Sequence, residues 1–491
     1  MPRIVTGAIL LSTAGLHALA WATLPLVPKN DSVWYLGMSH AMAGDRIFDP
    51  YAVGAPVAFD IHYTVGYPLF LDLVRTLFGW EHLATGVLAF HHAAVIVSVW
   101  LVLRLGVELG RPAAGAAAAI AYALYFPALY YAQLMISEAL FTFLALAAAL
   151  AFVRAYRAPT TRGLLVCGGV VGLATVVRPI GAVEAAVFAG LLALEGGLGP
   201  FAPRARRIAL LAVGPALCLG LSLVHNQATY GRATLSDASG RHLIDRVWAF
   251  DRVVATDSPD TARIFELCRR SGEAFQIPGL WWDSYKALRT GSDLTPREAD
   301  DLLRGAAWES IAADPVGYLT HSGVALWQLF SEEDTWPPPL EQTLMPEAFT
   351  RYLDVWTRMP ADPSAVSRSL RSVEARREFR SLIPLTSPEA SPQQRWWVVQ
   401  WRDLSPSYGA GLALATLIAA LALLRVGRRG DWIPALVVLG LALPPALVEY
   451  PYGRYRQPLI PFMLLIVASA GWEAVVRWRA SVPDEGDGSI P

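Results

Sequence analysis

The chain has 491 residues, of which 54% are hydrophobic and 16% are charged, and its formal net charge at pH 7 is −1. Soluble proteins carry about 25% charged residues, so this composition indicates a protein that crosses a membrane several times. The near-zero net charge excludes a nucleic-acid binder held by bulk electrostatics. The three cysteines are far apart, which argues against a disulfide framework or a cysteine-based metal site.

Ten apolar stretches are candidates for membrane-spanning helices, because a bilayer core needs roughly 20 mostly apolar residues per helix. They are residues 4–28, 84–106, 113–132, 135–155, 164–178, 180–196, 207–226, 408–426, 432–449 and 457–476. The two short stretches around "RPIG" (178–181) predict a tight helical hairpin. The first stretch contains "ALAWA" (18–22), which also allows a signal peptide, but it is longer than the ~7–15 residues of a signal core.

Arginines are concentrated in alternate connections between these stretches. They are Arg111, Arg154, Arg157, Arg162, Arg204, Arg206, Arg207, Arg425, Arg428, Arg429, Arg477 and Arg479. The positive-inside rule therefore predicts a cytoplasmic N-terminus and places the remaining connections outside. The stretch 67–80 carries Asp72 and Arg75 and is expected to lie along the interface. The expected location is the inner cell membrane, with the active site on the extracytoplasmic, periplasmic side.

The predicted fold is an all-α polytopic membrane protein of about ten transmembrane helices, with a large first outer loop and a mostly helical outer domain. The predicted units are an N-terminal transmembrane module, an extracytoplasmic domain, C-terminal transmembrane helices and a cytoplasmic tail: residues 1–226 with the outer loop 29–83, then 227–405, 406–480 and 481–491. Within the outer domain, helix is expected over 297–330. Its last part, 321–330, is too short to span a bilayer and could rest on the membrane surface.

On this topology several ionisable residues meet at the outer face of the membrane. They are Asp31, Glu138, Arg178 and the charged residues of "EYPYGRYRQP" (449–458). Charges at a membrane are costly and usually mark a pathway or a site. We therefore expect a cleft between the membrane and the first outer loop.

One carboxylate with several arginines suits sugar transfer from a polyprenyl-phosphate carrier. Arginine holds phosphate oxygens with a planar fork of donors. The departing phosphate is a weak base, so a single carboxylate suffices, acting as general base on the acceptor hydroxyl. Glycoside hydrolysis, in contrast, usually requires a pair of carboxyl groups.

Six motifs carry a resemblance to a known family. They are "NDSVWYLGMSHAMAGDRIFDP", "GYPLFLDLV", "MISEALF", "GLATVVRPIG", "IAADPVGYL" and "YGRYRQPLIPFMLL". In their order and shared face they resemble the lipid-phosphate-dependent membrane glycosyltransferases of the C-type fold (GT-C), nearest to the protein O-mannosyltransferase-like and aminoarabinose-transferase-like group. The resemblance covers roughly 1–230 and 405–480.

The resemblance implies an inverting glycosyltransferase that moves a sugar from a polyprenyl-phosphate or dolichyl-phosphate donor to a protein, glycolipid or glycan acceptor. The family's first-loop acidic residue falls on Asp31, the implied base. Many relatives have a second acidic residue next to it, where this chain has Ser32. The implied donor-phosphate and substrate-binding residues are Arg178, Arg454 with Tyr455 and the adjacent Arg456, and Glu138 with the preceding Ser137. Apart from the resemblance, Lys29 is a further candidate for phosphate binding and Tyr67 for substrate binding.

Each of these residues also has a structural interpretation. Asp31 could be a helix N-cap, Arg178 could pair with Glu184 in the next apolar stretch, and Glu138 could suit the positive end of its helix. His62 with Asp60 is a weak metal candidate because the spacing matches no known motif, so a divalent metal stays open as a cofactor.

Two rival functions remain. A transporter or flippase of a lipid-linked glycan predicts repeated halves and polar groups near the middle of the bilayer, whereas the polar groups here favour one face. A non-catalytic component of a polysaccharide assembly machine predicts that Asp31→Asn leaves function intact.

Overall fold

The structure is a computed structural model, and most of its described residues lie in helices. The described residues are 3–23, 31–32, 35, 38–39, 42, 61, 63–79, 82–195, 201–271, 288, 294–331, 392–426, 430, 432–449, 451 and 453–481. Over these ranges the helices are α1 Arg3–Thr23, α2 Gly66–Phe78, α3 Leu83–Glu108, α4 Pro112–Ala123, α5 Phe126–Tyr131, α6 Glu138–Arg157, α7 Thr161–Val177, α8 Gly181–Leu194, α9 Phe201–Tyr230, α10 Ser239–Ile244, α11 Pro259–Ser271, α12 Pro296–Ala313, α13 Pro315–Ser331, α14 Pro392–Val426, α15 Ile433–Val448 and α16 Ile460–Ser481. A π-helical turn, Asp245–Phe250, follows α10, and a 3₁₀ turn, Gly453–Arg456, precedes α16.

Within the described part of the chain, six helices are long and apolar enough to cross a membrane: α1, α3, α6, α9, α14 and α16. Four shorter apolar helices, α4, α7, α8 and α15, have between 12 and 17 residues. A helix therefore lies over each of the ten predicted stretches, and six of these helices reach spanning length. The chain is a multi-pass membrane protein.

The predicted stretch 113–132 is divided into two helices rather than one. Helix α4 ends at Ala123, Tyr125 has an extended backbone, and α5 begins at Phe126 with Pro127 in its first turn. Proline lacks the amide hydrogen and clashes with the preceding turn, so α4 could not have continued through it unbroken. This break places α5 at the end of the bundle where α6 begins.

The hairpin predicted at "RPIG" is present between α7 and α8. Arg178 caps α7 with φ −144° and ψ 129°, an extended conformation that the following Pro179 favours. Helix α8 begins three residues later at Gly181. Because the chain reverses here, the end of α7 and the start of α8 lie at the same end of the bundle.

Close packing holds the apolar helices together. A Cβ atom on Gly214 of α9 would lie 2.1 Å from the backbone of Gly168 in α7, so these two helices touch through their main chains. Small residues allow such close approach between membrane helices. Between α6 and α8, the rings of Phe152 and Phe188 stack with centroids 4.1 Å apart.

A buried ion pair lies at the opposite end of the bundle from the α7–α8 hairpin. Arg111, which precedes α4, donates from Nε to Oε1 of Glu473 in α16 at 3.0 Å, and both side chains are almost fully buried. The pair joins the connection between α3 and α4 to the last helix.

The described residues 231–271, 288 and 294–331 form a helical region with a small core of its own. Val247, Trp248, Ile264 and Leu303 are buried together between α10, α11 and α12. The helix expected over 297–330 is found as two helices, α12 and α13, separated at Asp314 because Pro315 follows it.

The helical region is joined to α15 by buried polar contacts. Arg246 pairs with Asp251 and donates to the carbonyl of Ala446 at 3.1 Å. The hydroxyl of Tyr318 donates to the carbonyl of Leu447 at 2.5 Å. These contacts fix the helical region against the C-terminal end of α15, which precedes the 3₁₀ turn.

Candidate functional site

Asp31 and Arg454 form an ion pair at one end of the helix bundle. Nη1 of Arg454 donates to Oδ2 of Asp31 at 2.5 Å, and the two side chains are 15% and 14% exposed. Asp31 follows α1, and Arg454 lies in the 3₁₀ turn before α16. The structure therefore brings together the two residues that the sequence placed at the same face.

Arg178 and Glu138 form a second ion pair beside the first. Nη1 of Arg178 lies 2.7 Å from Oε1 of Glu138 and donates weakly to the hydroxyl of Ser137 at 3.4 Å. Glu138 is the first residue of α6, and Arg178 caps α7. Glu184, the alternative partner of Arg178, is buried one turn into α8 and does not pair with it.

Tyr455 lies between the two arginines. Its ring centroid is 5.2 Å from the guanidinium carbon of Arg454 and 5.6 Å from that of Arg178. Both distances fit cation–π contacts. One aromatic ring thus holds two positive groups near each other, and each of these groups also has a carboxylate partner.

Two tyrosines and Ser32 hold Asp31 from the side of the first loop. Tyr63 donates a hydrogen bond to the Asp31 carboxylate, and its ring packs on Tyr35 with centroids 4.5 Å apart. The hydroxyl of Ser32 donates to the carbonyl of Met135 at 2.8 Å. At the position where many of the resembling glycosyltransferases have a second carboxylate, this chain therefore has an anchor to the residues before α6.

Tyr67 supports this aromatic group but does not reach the arginines. Its ring lies 4.6 Å from that of Tyr35, and its hydroxyl lies 3.2 Å from Nε2 of His91. Tyr67 is fully buried in the first turn of α2. Its contacts are those of a packing residue behind Tyr35.

The charges at the site favour an ionised carboxylate. Burial by itself raises the pKa of Asp31, but the Arg454 charge, the Tyr63 hydrogen bond and the more distant Arg178 together hold that pKa below its ordinary value. Burial, and then the Asp31 charge, raise the pKa of Tyr63 well above its ordinary value. Tyr63 is therefore a neutral donor to a charged acceptor.

A small cleft lies beside the two arginines. Its lining residues are Phe141, Arg178, Ile180, Leu441, Arg454, Tyr455, Pro458 and Leu459. Two cations and a tyrosine thus share the cleft with a set of apolar side chains. Such a lining fits a ligand with an anionic group at one end and an apolar chain at the other.

Arg456 points away from the cleft. It is almost fully buried, and its Nη1 donates to the carbonyl of Phe330 at the end of α13 at 2.9 Å. Successive residues of a 3₁₀ turn point about 120° apart, so residues two apart in the turn, such as Arg454 and Arg456, face different directions. The structure therefore gives Arg456 a contact with α13 and leaves Arg454 and Arg178 as the cleft arginines.

Three of the predicted residues lie outside the described residues, namely Lys29, Asp60 and His62. Within the described ranges no group of three or more His, Cys, Asp or Glu side chains is placed to hold a metal ion. The carboxylate of Asp31 instead faces two guanidinium groups, a surrounding that suits an anion better than a divalent cation.

Sequence reasoning missed the tyrosines that hold Asp31 and the apolar residues of the cleft. Tyr35 and Tyr63 lie within the first outer loop, in "VWYLG" and "IHYTVGY", and this aromatic clustering is the signal that could have identified them. Phe141 and Leu441 carry no such signal, because an apolar residue in a membrane helix looks the same whether it faces lipid, protein or a cleft.

No model of a known protein family matches the chain, and no curated protein matches it. The similar solved structures include the Archaeoglobus fulgidus oligosaccharyltransferase tethered with an acceptor peptide, which is 12% identical with a TM-score of 0.45. The same protein in complex with Zn and sulfate is 13% identical with a TM-score of 0.44. In complex with an inhibitory peptide and a dolichol-phosphate it is 14% identical with a TM-score of 0.43.

These matches cover 96–97% of this chain and 50–51% of the archaeal one, so the chain spans about half the length of the structures it resembles. The scores describe a distant likeness in shape, and the ligands named with those structures belong to the archaeal protein.

Proposed function

We propose that this protein is a membrane glycosyltransferase of the GT-C type. It transfers a sugar from a polyprenyl-phosphate donor to an acceptor hydroxyl outside the cytoplasm, with inversion at the anomeric carbon. The observation that supports this function is the pair of arginines, Arg178 and Arg454, in an apolar cleft, with the Asp31 carboxylate 2.5 Å from one of them.

The donor phosphate binds between Arg178 and Arg454. Their guanidinium groups offer several donors to the phosphate oxygens, and charge-assisted hydrogen bonds of this kind are the strong ones. The isoprenoid chain then lies along the apolar side of the cleft, past residues such as Phe141 and Leu441. The sugar is thereby placed near Asp31.

Transfer is a single displacement. The acceptor hydroxyl attacks the anomeric carbon, and the bond from that carbon to the phosphate oxygen breaks. The electron pair of that bond leaves with the polyprenyl phosphate, whose charge the arginines hold. Asp31 takes the proton of the hydroxyl, and Tyr63 keeps the carboxylate in place.

Donor binding also prepares the base. In this structure Arg454 is bound to Asp31, and that contact makes the carboxylate a weaker base. A donor phosphate competes for the same guanidinium group and draws Arg454 away from Asp31. The pKa of Asp31 rises as a result, at the step where the carboxylate must accept a proton.

The arrangement in the membrane belongs to the same proposal. The predicted units 1–226, 227–405, 406–480 and 481–491 are retained, with 29–83 and 227–405 outside. The arginine bias of the connections supports this orientation. The location is the inner cell membrane, with the cleft open to the periplasmic side.

The test uses purified protein in lipid vesicles with a panel of radiolabelled polyprenyl-phosphate sugars, with and without a chelator. Wild-type protein is expected to release polyprenyl phosphate from one donor, and Asp31→Asn is expected to release almost none. Failure to release it from any donor, with any acceptor class, would overturn the enzyme function.

A parallel assay separates the rival functions. A flippase would move a lipid-linked sugar across the vesicle membrane without breaking its phosphate bond. A non-catalytic component would show the same behaviour in wild type and in Asp31→Asn.

A further inference from the structure

Helix α13 has an exposed face without charged side chains. Val316 is 73% exposed, Leu319 is 66% exposed and Trp327 is 54% exposed, and Val324 lies on the same face. Their spacing of three to five residues puts them on one side of the helix. Along α13 the single ionisable side chain other than tyrosine is His321.

The neighbouring helices of the same region look different. Exposed positions of α11 and α12 carry charges, among them Arg269, Arg297 and Asp301. These two helices therefore have the surface expected in water. The apolar face of α13 is a property of that helix and not of the whole region.

The two ends of α13 contact the same end of the helix bundle. Near its start, Tyr318 donates to Leu447 at the end of α15. At its other end, the carbonyl oxygen of Phe330 would lie 2.0 Å from a Cβ on Gly409 of α14, near the start of the apolar part of that helix. From residue 318 to residue 330 a helix extends about 18 Å. Helix α13 thus runs across the rim of the bundle, not along the spans.

The apolar face of α13 continues into surfaces that face lipid. Helix α13 packs on α14 and α15, and both of these expose leucines over their apolar lengths, including Leu417, Leu421 and Leu443. Tryptophan is enriched where a membrane meets water, and Trp327 is exposed on this face of α13.

We propose that α13 lies in the plane of the membrane, with Val316, Leu319, Val324 and Trp327 buried at the boundary between lipid headgroups and acyl chains. The occupant of this face is the lipid bilayer. The opposite side of α13 packs on protein through residues such as Ala325 and Leu329, so the exposed apolar area is free to bind such an interface.

This placement also gives Arg456 a role. The carbonyl of Phe330, the penultimate residue of α13, accepts a hydrogen bond from Arg456. Arg456 belongs to the same short turn as Arg454 and Tyr455. The membrane fixes the position of α13, and the hydrogen bond from Arg456 to Phe330 fixes the 3₁₀ turn against α13. The turn in turn places Arg454 in the cleft. Arg456 is a positioning residue in this chain of contacts.

Site-directed spin labels in lipid vesicles test the membrane contact. Labels are placed at Val316→Cys and Val324→Cys, with Arg297→Cys on α12 as the matched aqueous control. Cys218, the partly exposed native cysteine, is replaced by serine, whereas Cys167 and Cys268 are buried. Oxygen, which dissolves in lipid, is expected to relax the first two labels more than a nickel chelate does. The control label is expected to show the reverse.

Two results would overturn the membrane contact. Access of the nickel chelate to the Val316 and Val324 labels equal to that of the control would place the face in water. Immobile labels reached by neither reagent would mean that protein, for example residues 332–391 or a second copy, covers the face.

The role of α13 and Arg456 in positioning Arg454 rests on the proposed function. It is tested by measuring the affinity of the protein for polyprenyl phosphate. Leu319→Asp with Val324→Asp should weaken that binding about tenfold, the equivalent of one charge-assisted hydrogen bond. Arg297→Glu is the control and should leave it unchanged. Equal affinity in all three proteins would overturn the coupling to Arg454. Absence of binding by the wild type would instead overturn the proposed function, and the spin-label result would still decide the lipid contact.

Discussion

Asp31 and Arg454 are 423 positions apart in the chain, and their side chains are 2.5 Å apart in the structure. The pair connects the residues that follow α1 to the 3₁₀ turn that precedes α16. It also places a carboxylate beside the cleft in which the second arginine, Arg178, lies.

Removal of the carboxylate is expected to separate chemistry from binding. We expect Asp31→Asn to lower turnover roughly 10²- to 10⁴-fold, the usual effect of losing a general base. Binding of polyprenyl phosphate should be retained or tighter, because Arg454 loses its competing partner. The measurement is single-turnover release together with equilibrium binding, and Asp72→Asn, in a partly exposed pair with Arg75 on α2, is the control.

Each cleft arginine is expected to contribute to phosphate affinity. Arg178→Ala and Arg454→Ala should each weaken binding of polyprenyl phosphate roughly 10- to 100-fold, the range for hydrogen bonds to charged groups. Arg75→Ala, which removes an arginine remote from the cleft, should have no such effect. Equal affinity in Arg454→Ala and the wild type would argue against phosphate binding at this position.

Tyr63 is expected to act through Asp31. Tyr63→Phe removes the hydroxyl that donates to the carboxylate, so turnover should fall about tenfold, in line with one hydrogen bond to a charged group. The KM for the donor should be unchanged. Tyr130→Phe is a matched control, because the Tyr130 hydroxyl is buried and has no hydrogen-bond partner. A loss of stability in Tyr63→Phe without a loss of turnover would point to packing alone.

Phosphate binding is expected to take up a proton in acidic solution. The contacts in this structure hold the pKa of Asp31 below its ordinary value of 3.8. When bound phosphate draws the Arg454 side chain away from Asp31, the pKa of Asp31 should rise. At pH values between the low pKa of Asp31 in the free protein and its raised pKa in the complex, Asp31 is protonated in the complex and ionised in the free protein. Affinity should therefore increase as the pH falls through this window, and well above it the uptake should vanish.

Calorimetry in buffers of different ionisation enthalpy measures this uptake. The phosphate titrates in the same region, so Asp31→Asn supplies the reference, and the difference between the two proteins belongs to Asp31. Identical uptake in both proteins would contradict the exchange of partners at Arg454.

The ion pair at the far end of the bundle is expected to be structural. Glu473→Gln leaves the Arg111 charge buried without its carboxylate, which should cost about 3–5 kcal/mol of unfolding free energy. Arg154→Gln breaks a partly exposed pair with Glu108 and should cost about 0–1 kcal/mol. Thermal unfolding in detergent compares the two, and polyprenyl phosphate binding at low temperature should be the same in both.

The helices were predictable because their cause is local. A stretch such as 84–106 is apolar over the length that a bilayer requires, and the structure has α3 at Leu83–Glu108. The hairpin at Arg178 was predictable for a similar reason, since a proline follows. The division of 113–132 was not foreseen, although Pro127 was its visible cause.

The partners within the site depend on how the helices pack, and hydropathy does not contain that information. The sequence offered both Glu138 and Glu184 for Arg178, and the contact between α6 and α7 selects Glu138. Likewise the sequence grouped Arg454 with Arg456, and the geometry of a 3₁₀ turn separates them. The contact of Tyr63 with Asp31 joins residues that are 32 positions apart in the chain, which periodicity does not connect.

The balance of two carboxylates against two arginines has a consequence for turnover on the proposed mechanism. A donor phosphodiester carries one negative charge, whereas the departing phosphate monoester carries between about 1.5 and 2 near neutral pH. Two guanidinium groups alone would thus retain the spent carrier more firmly than the fresh one. Asp31 and Glu138 can reclaim their guanidinium partners, and this competition would expel the spent carrier and reset the protein for another cycle.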